Sequence, residues 1–379
     1  MAKPAAPTYF QYLDGFRGIA ALWVMIGHIL IVYRIPIKII GWPALAVDLF
    51  ILISGFLMVR QAIARKQVEP LSSPTTWTAF WLTRFFRIAP LYFSILFIAI
   101  LIAQSERGFD GSFRYLLSDG DHIANGAFMA NLVSHVTFLF GLSPNFASAI
   151  ANVPDWSISL EMQFYALFPF LMLLGERIGW MLLTAVIAAT CVAAGAIFAT
   201  FLQEFFQPSI IVLKINVFMG GMLIALALED RKRSIVYVMV AAALMLLPLW
   251  GSFNFRFGVL RALICAGFGA VALCDGGKGK SAFSSVFSYI ARTLGTKPFA
   301  VMAELSYGLY LVHFFVINTW SRLTAPDAIL AHMGGPAYAF IVIPIISYLL
   351  AWIARHAIEL RGIEFGRRFI HRSPLVVSP

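Results

Sequence analysis

Arg17 and His28 stand eleven residues apart in YLDGFRGIAALWVMIGH, residues 12–28, where the first long apolar run begins. On a helix that spacing is three turns, about 20° out of phase, so both side chains share one face. The rise is roughly 16 Å, too far for contact on a straight helix but suited to gripping two ends of one long ligand. A histidine in an apolar wall can serve as a general base, and an arginine can pair with an anionic group. Each has a plainer reading too. Arg17 would then anchor a membrane border, and His28 would be a hydrogen-bonded core histidine.

Four further groups could join this chemistry. Asp48 sits in VDLFILISGFLM, and a carboxylate beside an imidazole would orient the ring and raise its basicity. Arg84 and Arg87, three apart on a helix turn, could form a phosphate clamp or could serve only as topology anchors. PDWSISLEMQFY supplies Trp156 and Glu161, the latter alternatively a first-turn carboxylate favoured by the helix dipole. ELSYGLYLVHF places Ser306, Tyr307, Tyr310 and His313 at helical spacing, a polar stripe where an aromatic one would signify packing.

The elements that must hold these residues are membrane helices. The chain has 379 residues, 60% of them hydrophobic and only 12% charged, against about 25% charged in a soluble domain. The net charge of +10 does not point to nucleic acid, because the basic residues lie between apolar runs and read as topology signals. Cys191, Cys265 and Cys274 fall in apolar segments without metal-ligand spacing, so neither a metal nor a disulfide framework is expected. The first run lacks a small-residue cleavage site and is expected to be a retained span.

Eleven apolar runs can be marked, at about 17–33, 44–60, 88–104, 127–142, 158–174, 180–201, 209–228, 234–250, 258–274, 299–320 and 337–357. The fourth, GAFMANLVSHVTFLFG, is short and carries Asn131, Ser134, His135 and Thr137. If it does not cross, every basic cluster falls on the cytoplasmic side with both termini, as the positive-inside rule requires. The expected fold is therefore an all-α polytopic membrane protein. It has about ten transmembrane helices and one re-entrant or interfacial segment near 127–142. Its parts are a cytoplasmic tail over 1–12, a membrane domain over 13–358, and a cytoplasmic tail over 359–379. The 275–298 stretch is expected as a cytoplasmic loop, and Lys214 and Arg261 as snorkelling anchors.

With this topology His28 lies roughly 16 Å in from Arg17, and Asp48 roughly 18 Å above Arg60, at about the same level. Glu161 is expected on the outer side of the histidine. Tyr307, Tyr310 and His313 are expected at mid-span.

These motifs, in this order, resemble the integral-membrane acyltransferase family three, which O-acylates polysaccharides and other cell-surface glycans. The blocks are LDGFRGIAALWVMIGH at 13–28, VDLFILISGFLM at 47–58, WLTRFFRIAPLYF at 81–93, WSISLEMQFYALFP at 156–169 and LSYGLYLVH at 305–313. The resemblance implies a ten-helix core in a bacterial inner membrane and an acyl-CoA donor. It further implies His28 as catalytic base and the Arg84/Arg87 pair as a contact for the donor's phosphates. Two features depart from the family: IELRG at 358–362 lacks the proline often found after the glutamate, and no esterase-like domain is expected among these residues.

The combined expectation is an O-acyltransferase with His28, Asp48, Arg17 and Glu161 at the reaction and Arg84, Arg87 and Arg17 on acyl-CoA. Trp156, Tyr307, Tyr310 and His313 would hold a glycan or lipid-linked saccharide acceptor. The rival is an exporter of a glycan or small metabolite, since midplane ionisable residues also suit proton relays. No two-fold repeat of the kind many transporters show is visible.

Overall fold

A computed structural model describes residues 10–106, 125–147, 153–247, 255–275, 281–325 and 329–372. The described residues form helices and turns, with no strand among them. Among the described residues, eight helices are long and apolar enough to cross a membrane. They include α1 (Tyr12–Val32), α2 (Pro43–Lys66), α3 (Pro74–Glu106), α5 (Trp156–Ile178) and α6 (Trp180–Ile197). The others are α10 (Phe255–Cys274), α12 (Lys297–Leu323) and α13 (Pro336–Ala354). Two shorter apolar helices, α8 (Ile215–Glu229) and α9 (Ser234–Leu244), occupy the runs near 209–228 and 234–250. Short helices α4 (Asn125–Val136) and α7 (Ala199–Gln203) complete the first two thirds.

Local chemistry sets the boundaries. Proline opens α2 and α13 at a first-turn position, where its missing N–H is no loss. Gly179, at φ +90°, breaks α5 from α6, a conformation open to glycine at little cost. The helices then pack through small residues. Where α2 crosses α8, a Cβ on Gly55 would stand 2.1 Å from the Phe218 carbonyl and one on Gly221 1.9 Å from that of Leu52. Only backbone fits there, as in close membrane-helix crossings. Around the outside, Phe97, Ile98, Phe170, Leu182, Ile341 and Leu349 stay exposed, as a lipid-facing surface requires.

The fourth run is the irregular one. After α4 the chain turns at Phe138, which is buried against the rings of Tyr92 and Phe93, and passes a short 3₁₀ turn at Phe140–Leu142. Ser159 Oγ donates to the Phe138 carbonyl at 2.6 Å and accepts from Gly141 N at 3.0 Å. Ser209 Oγ donates to the Gly141 carbonyl at 3.1 Å. Side chains thus satisfy backbone that no helix satisfies, the condition for irregular chain within a membrane protein.

Two stretches expected as loop or tail are helical. Residues Ala282–Leu294 form α11, whose Phe287, Ile290, Ala291 and Leu294 make one apolar stripe against α1 and α10. Beyond a π-helical turn at Arg355–Glu359, α14 (Leu360–Arg372) packs Phe365 and Phe369 on Phe86, and Gly362 on Pro90.

Candidate functional site

A cavity of about 630 Å³ opens among α1, α2, α3, α5, α8 and α12. Its mouth is marked by Arg60, whose guanidinium pairs with Glu229, and by Gln61, which accepts a hydrogen bond from Arg84. Arg17 and Arg87 line it as well. Arg84 also lies over the rings of Phe80 and Tyr165, 5.7 and 5.6 Å from their centroids, and its Nε has no partner. The Arg17 guanidinium reaches Ser306 Oγ at 3.5 Å. Several guanidinium donors therefore face the cavity with room to pair an anion.

Glu161 stands between the arginines and the far end. Its Oε1 accepts from Ser54 Oγ at 3.0 Å and from the Tyr165 hydroxyl. Ser54 is six residues from Arg60 on α2, roughly 9 Å along the axis. Glu161 thus lies on the arginine side of the histidine, not beyond it as expected. The cause is that α5 starts deep: Asp155, just before it, is 1% exposed and accepts from Tyr92 OH at 2.9 Å. The far end of the cavity is closed by Val47, Phe50, Ser157 and Tyr310, with Ser157 Oγ donating to Tyr310 OH at 2.8 Å. Tyr307 lines the wall and donates to the Ile88 carbonyl at 2.8 Å.

Beyond Tyr310 lie the two histidines. The ring of His313 is 6.0 Å from that of Tyr310, and its Nε2 is 3.0 Å from His28 Nδ1. His28 is partly exposed and His313 fully buried. Neither lines the cavity itself; they stand behind its end wall.

Two expected site residues are placed elsewhere. Asp48 does not pair with His28. Its carboxylate takes Lys214 Nζ at 2.5 Å and Arg261 Nε at 3.1 Å, in a cluster joining α2, α8 and α10. Lys214 and Arg261 are accordingly not snorkelling anchors: their side chains are 5% and 11% exposed and they turn inward to the acid. A charge buried alone is costly, so the one carboxylate stands between the two bases and is shared by both. Trp156, expected at the acceptor, packs into the hydrophobic core.

Some residues of the cavity carried no signal in the sequence. Ser54 is an unremarked hydroxyl in an apolar run. Arg60 and Gln61 read as part of a basic loop. Glu359, the glutamate of IELRG, lies outside the cavity lining; it is 2% exposed on the π-helical turn and pairs with Arg355 at 3.5 Å. A π turn inside a long helix is often a functional feature, but no sequence pattern announces one.

The family described as "Acyltransferase domain" matches residues 10–356. The chain belongs to this acyltransferase family. Among curated relatives, the chain is 22% identical over 410 residues to the O-acetyltransferase OatA of Staphylococcus aureus, covering 95% of this chain and 58% of that protein. It is 24% identical over 396 residues to YrhL of Bacillus subtilis, provisionally named a peptidoglycan O-acetyltransferase, covering 96% and 57%. BcsY of Komagataeibacter xylinus, provisionally a membrane-bound transacylase, is 29% identical over 161 residues, covering 41% of this chain and 35% of that protein. The chain thus spans a little over half the length of the first two relatives. No solved structure matches it. The acyltransferase match spans every part of the cavity wall and both histidines.

Proposed function

We propose that the protein is a membrane O-acyltransferase that moves an acyl group, acetyl foremost, from cytoplasmic acyl-CoA to a hydroxyl of a cell-surface glycan. The observation that carries this reading is the cavity, arginine-rich at its mouth and closed at its far end by Tyr310, next to the His28–His313 pair. Arg17, Arg84 and Arg87 would hold the phosphates of CoA, and its long pantetheine arm would run past Glu161 toward the histidines. His28 takes the proton of the acceptor hydroxyl as that oxygen attacks the thioester carbonyl. The carbon–sulfur bond breaks, and the CoA thiolate leaves with the proton that His28 returns.

Family membership and relatives named as O-acetyltransferases support acetyl as the group and a glycan as the acceptor. Both ends of the chain are proposed to face the cytoplasm, in a bacterial inner membrane. The test is purified protein in vesicles with labelled acetyl-CoA and a soluble glycan acceptor. CoA release together with label on the glycan is the expected result. Movement of a solute across the vesicle without either would favour the exporter and overturn the proposal.

A further inference from the structure

We infer that His313 is a positioning residue that holds the proton of His28 on Nδ1 and so leaves Nε2 of His28 free as the base. The inference rests on the reading above, in which His28 is the base of an acyl transfer.

The argument is one of donors and acceptors. His313 Nδ1 lies 3.1 Å from the Leu309 carbonyl oxygen, one turn back on α12. A carbonyl can only accept, so the proton of His313 sits on Nδ1. A neutral imidazole carries one N–H, which leaves Nε2 of His313 as a lone pair. That lone pair faces His28 Nδ1 at 3.0 Å. Two lone pairs cannot bond, so His28 must donate from Nδ1. The remaining lone pair of His28 is then on Nε2.

The reverse arrangement would need a protonated His313 donating from both nitrogens. His313 is 0% exposed, and its hydrogen-bond partners are backbone carbonyls and another imidazole, with no opposite charge among them. Burying a charge so placed is costly. Burial also divides the roles: His28 is partly exposed, whereas His313 is enclosed and acts only through its neighbour. Phe314, edge-on to the His28 ring with centroids 5.1 Å apart, limits the ring from another side. When Nε2 takes the acceptor's proton, Nδ1–H stays bonded to His313, so the imidazolium keeps its orientation until it protonates the departing thiolate. A carboxylate does this in many hydrolases; here a second histidine does.

Two substitutions and one spectrum test the inference. His313→Leu removes the acceptor; His313→Gln offers a carbonyl oxygen close to where Nε2 stood. His313→Leu should lower kcat with labelled acetyl-CoA by about 10–100-fold, as losing the partner that orients a histidine does elsewhere. The KM for acetyl-CoA should stay unchanged, and His313→Gln should recover most of the loss. Nitrogen-15 NMR of histidine-labelled wild type, with His28 assigned by its missing signal in His28→Gln, should show Nδ1 protonated and Nε2 bare. This spectrum needs neither turnover nor a folded Leu variant. Nε2–H on His28 would overturn the inference even in an active enzyme. So would a normal kcat in His313→Leu, or equal losses in both variants that follow their melting temperatures. A wild type inactive toward acyl-CoA would overturn the reading beneath it, whatever the tautomer.

Discussion

Helix α2 carries two charged clusters on different sides, and they are built in opposite ways. Toward α8 and α10, Asp48 is clasped by Lys214 and Arg261 in a closed, buried group. Toward α3, α5 and α12, Ser54, Arg60 and Gln61 face an open cavity with Arg17, Arg84, Arg87 and Glu161. In the first cluster the charges have only one another. In the second, Arg60 pairs with Glu229, Arg84 and Arg17 donate to the uncharged Gln61 and Ser306, and Glu161 accepts from Ser54 and Tyr165. The closed cluster is a brace between helices; the open one has charge to offer a ligand. Residue type does not separate the two, and partner geometry does.

The comparison can be broken most sharply at the brace. Asp48→Asn would leave Lys214 and Arg261 buried without their carboxylate. Removing one partner of a buried pair costs about 3–5 kcal/mol, so the variant should unfold at clearly lower denaturant concentration. Its turnover should fall in step with its folded fraction. A stability change under about 1 kcal/mol would mean the cluster is no brace.

At the cavity the expected effect is on affinity instead. Arg84→Ala with Arg87→Ala should weaken CoA binding at least tenfold in calorimetry, since a charge-assisted hydrogen bond contributes roughly 1.5–3 kcal/mol. Stability should hardly change, and binding of pantetheine, which lacks the phosphates of CoA, should not. Unchanged CoA affinity would return these arginines to topology anchors alone. The smallest effect belongs to the rim. Lys66→Ala breaks an ion pair with Glu176 at 2.7 Å whose side chains are 53% and 34% exposed. It should cost less than about 1 kcal/mol and leave CoA affinity unchanged.

Apolar run length and the basic clusters were enough to mark the long helices and to single out 127–142 as the run that behaves differently. The cavity's arginines were legible because Arg17, Arg84 and Arg87 stand in family-like blocks at helical spacing. What was not legible is pairing across the fold. Axial rise puts Asp48 near the level of His28, but rise says nothing about which way a side chain points around the helix. Asp48 faces α8, and the partner of His28 comes from α12, 285 residues on. The depth of Glu161 was misjudged because the chain ahead of α5 dips into the protein before the helix begins, which a count of apolar residues does not register. The amphipathic helix α11 was hidden by the polar residues around it. Its apolar stripe is sparse and falls in a stretch rich in Gly, Lys and Ser.

The account's central claim is that His28 does the chemistry while the arginines hold the donor. It is tested most directly by measuring turnover of labelled acetyl-CoA and melting temperature on the same purified sample of His28→Gln. Glutamine keeps a hydrogen bond but cannot take the proton. The account predicts a loss of roughly 10²–10⁴-fold in turnover, the usual contribution of a general base, with the melting temperature and CoA affinity close to wild type. Near-normal turnover in His28→Gln, or a loss that merely follows a lower melting temperature, would contradict it.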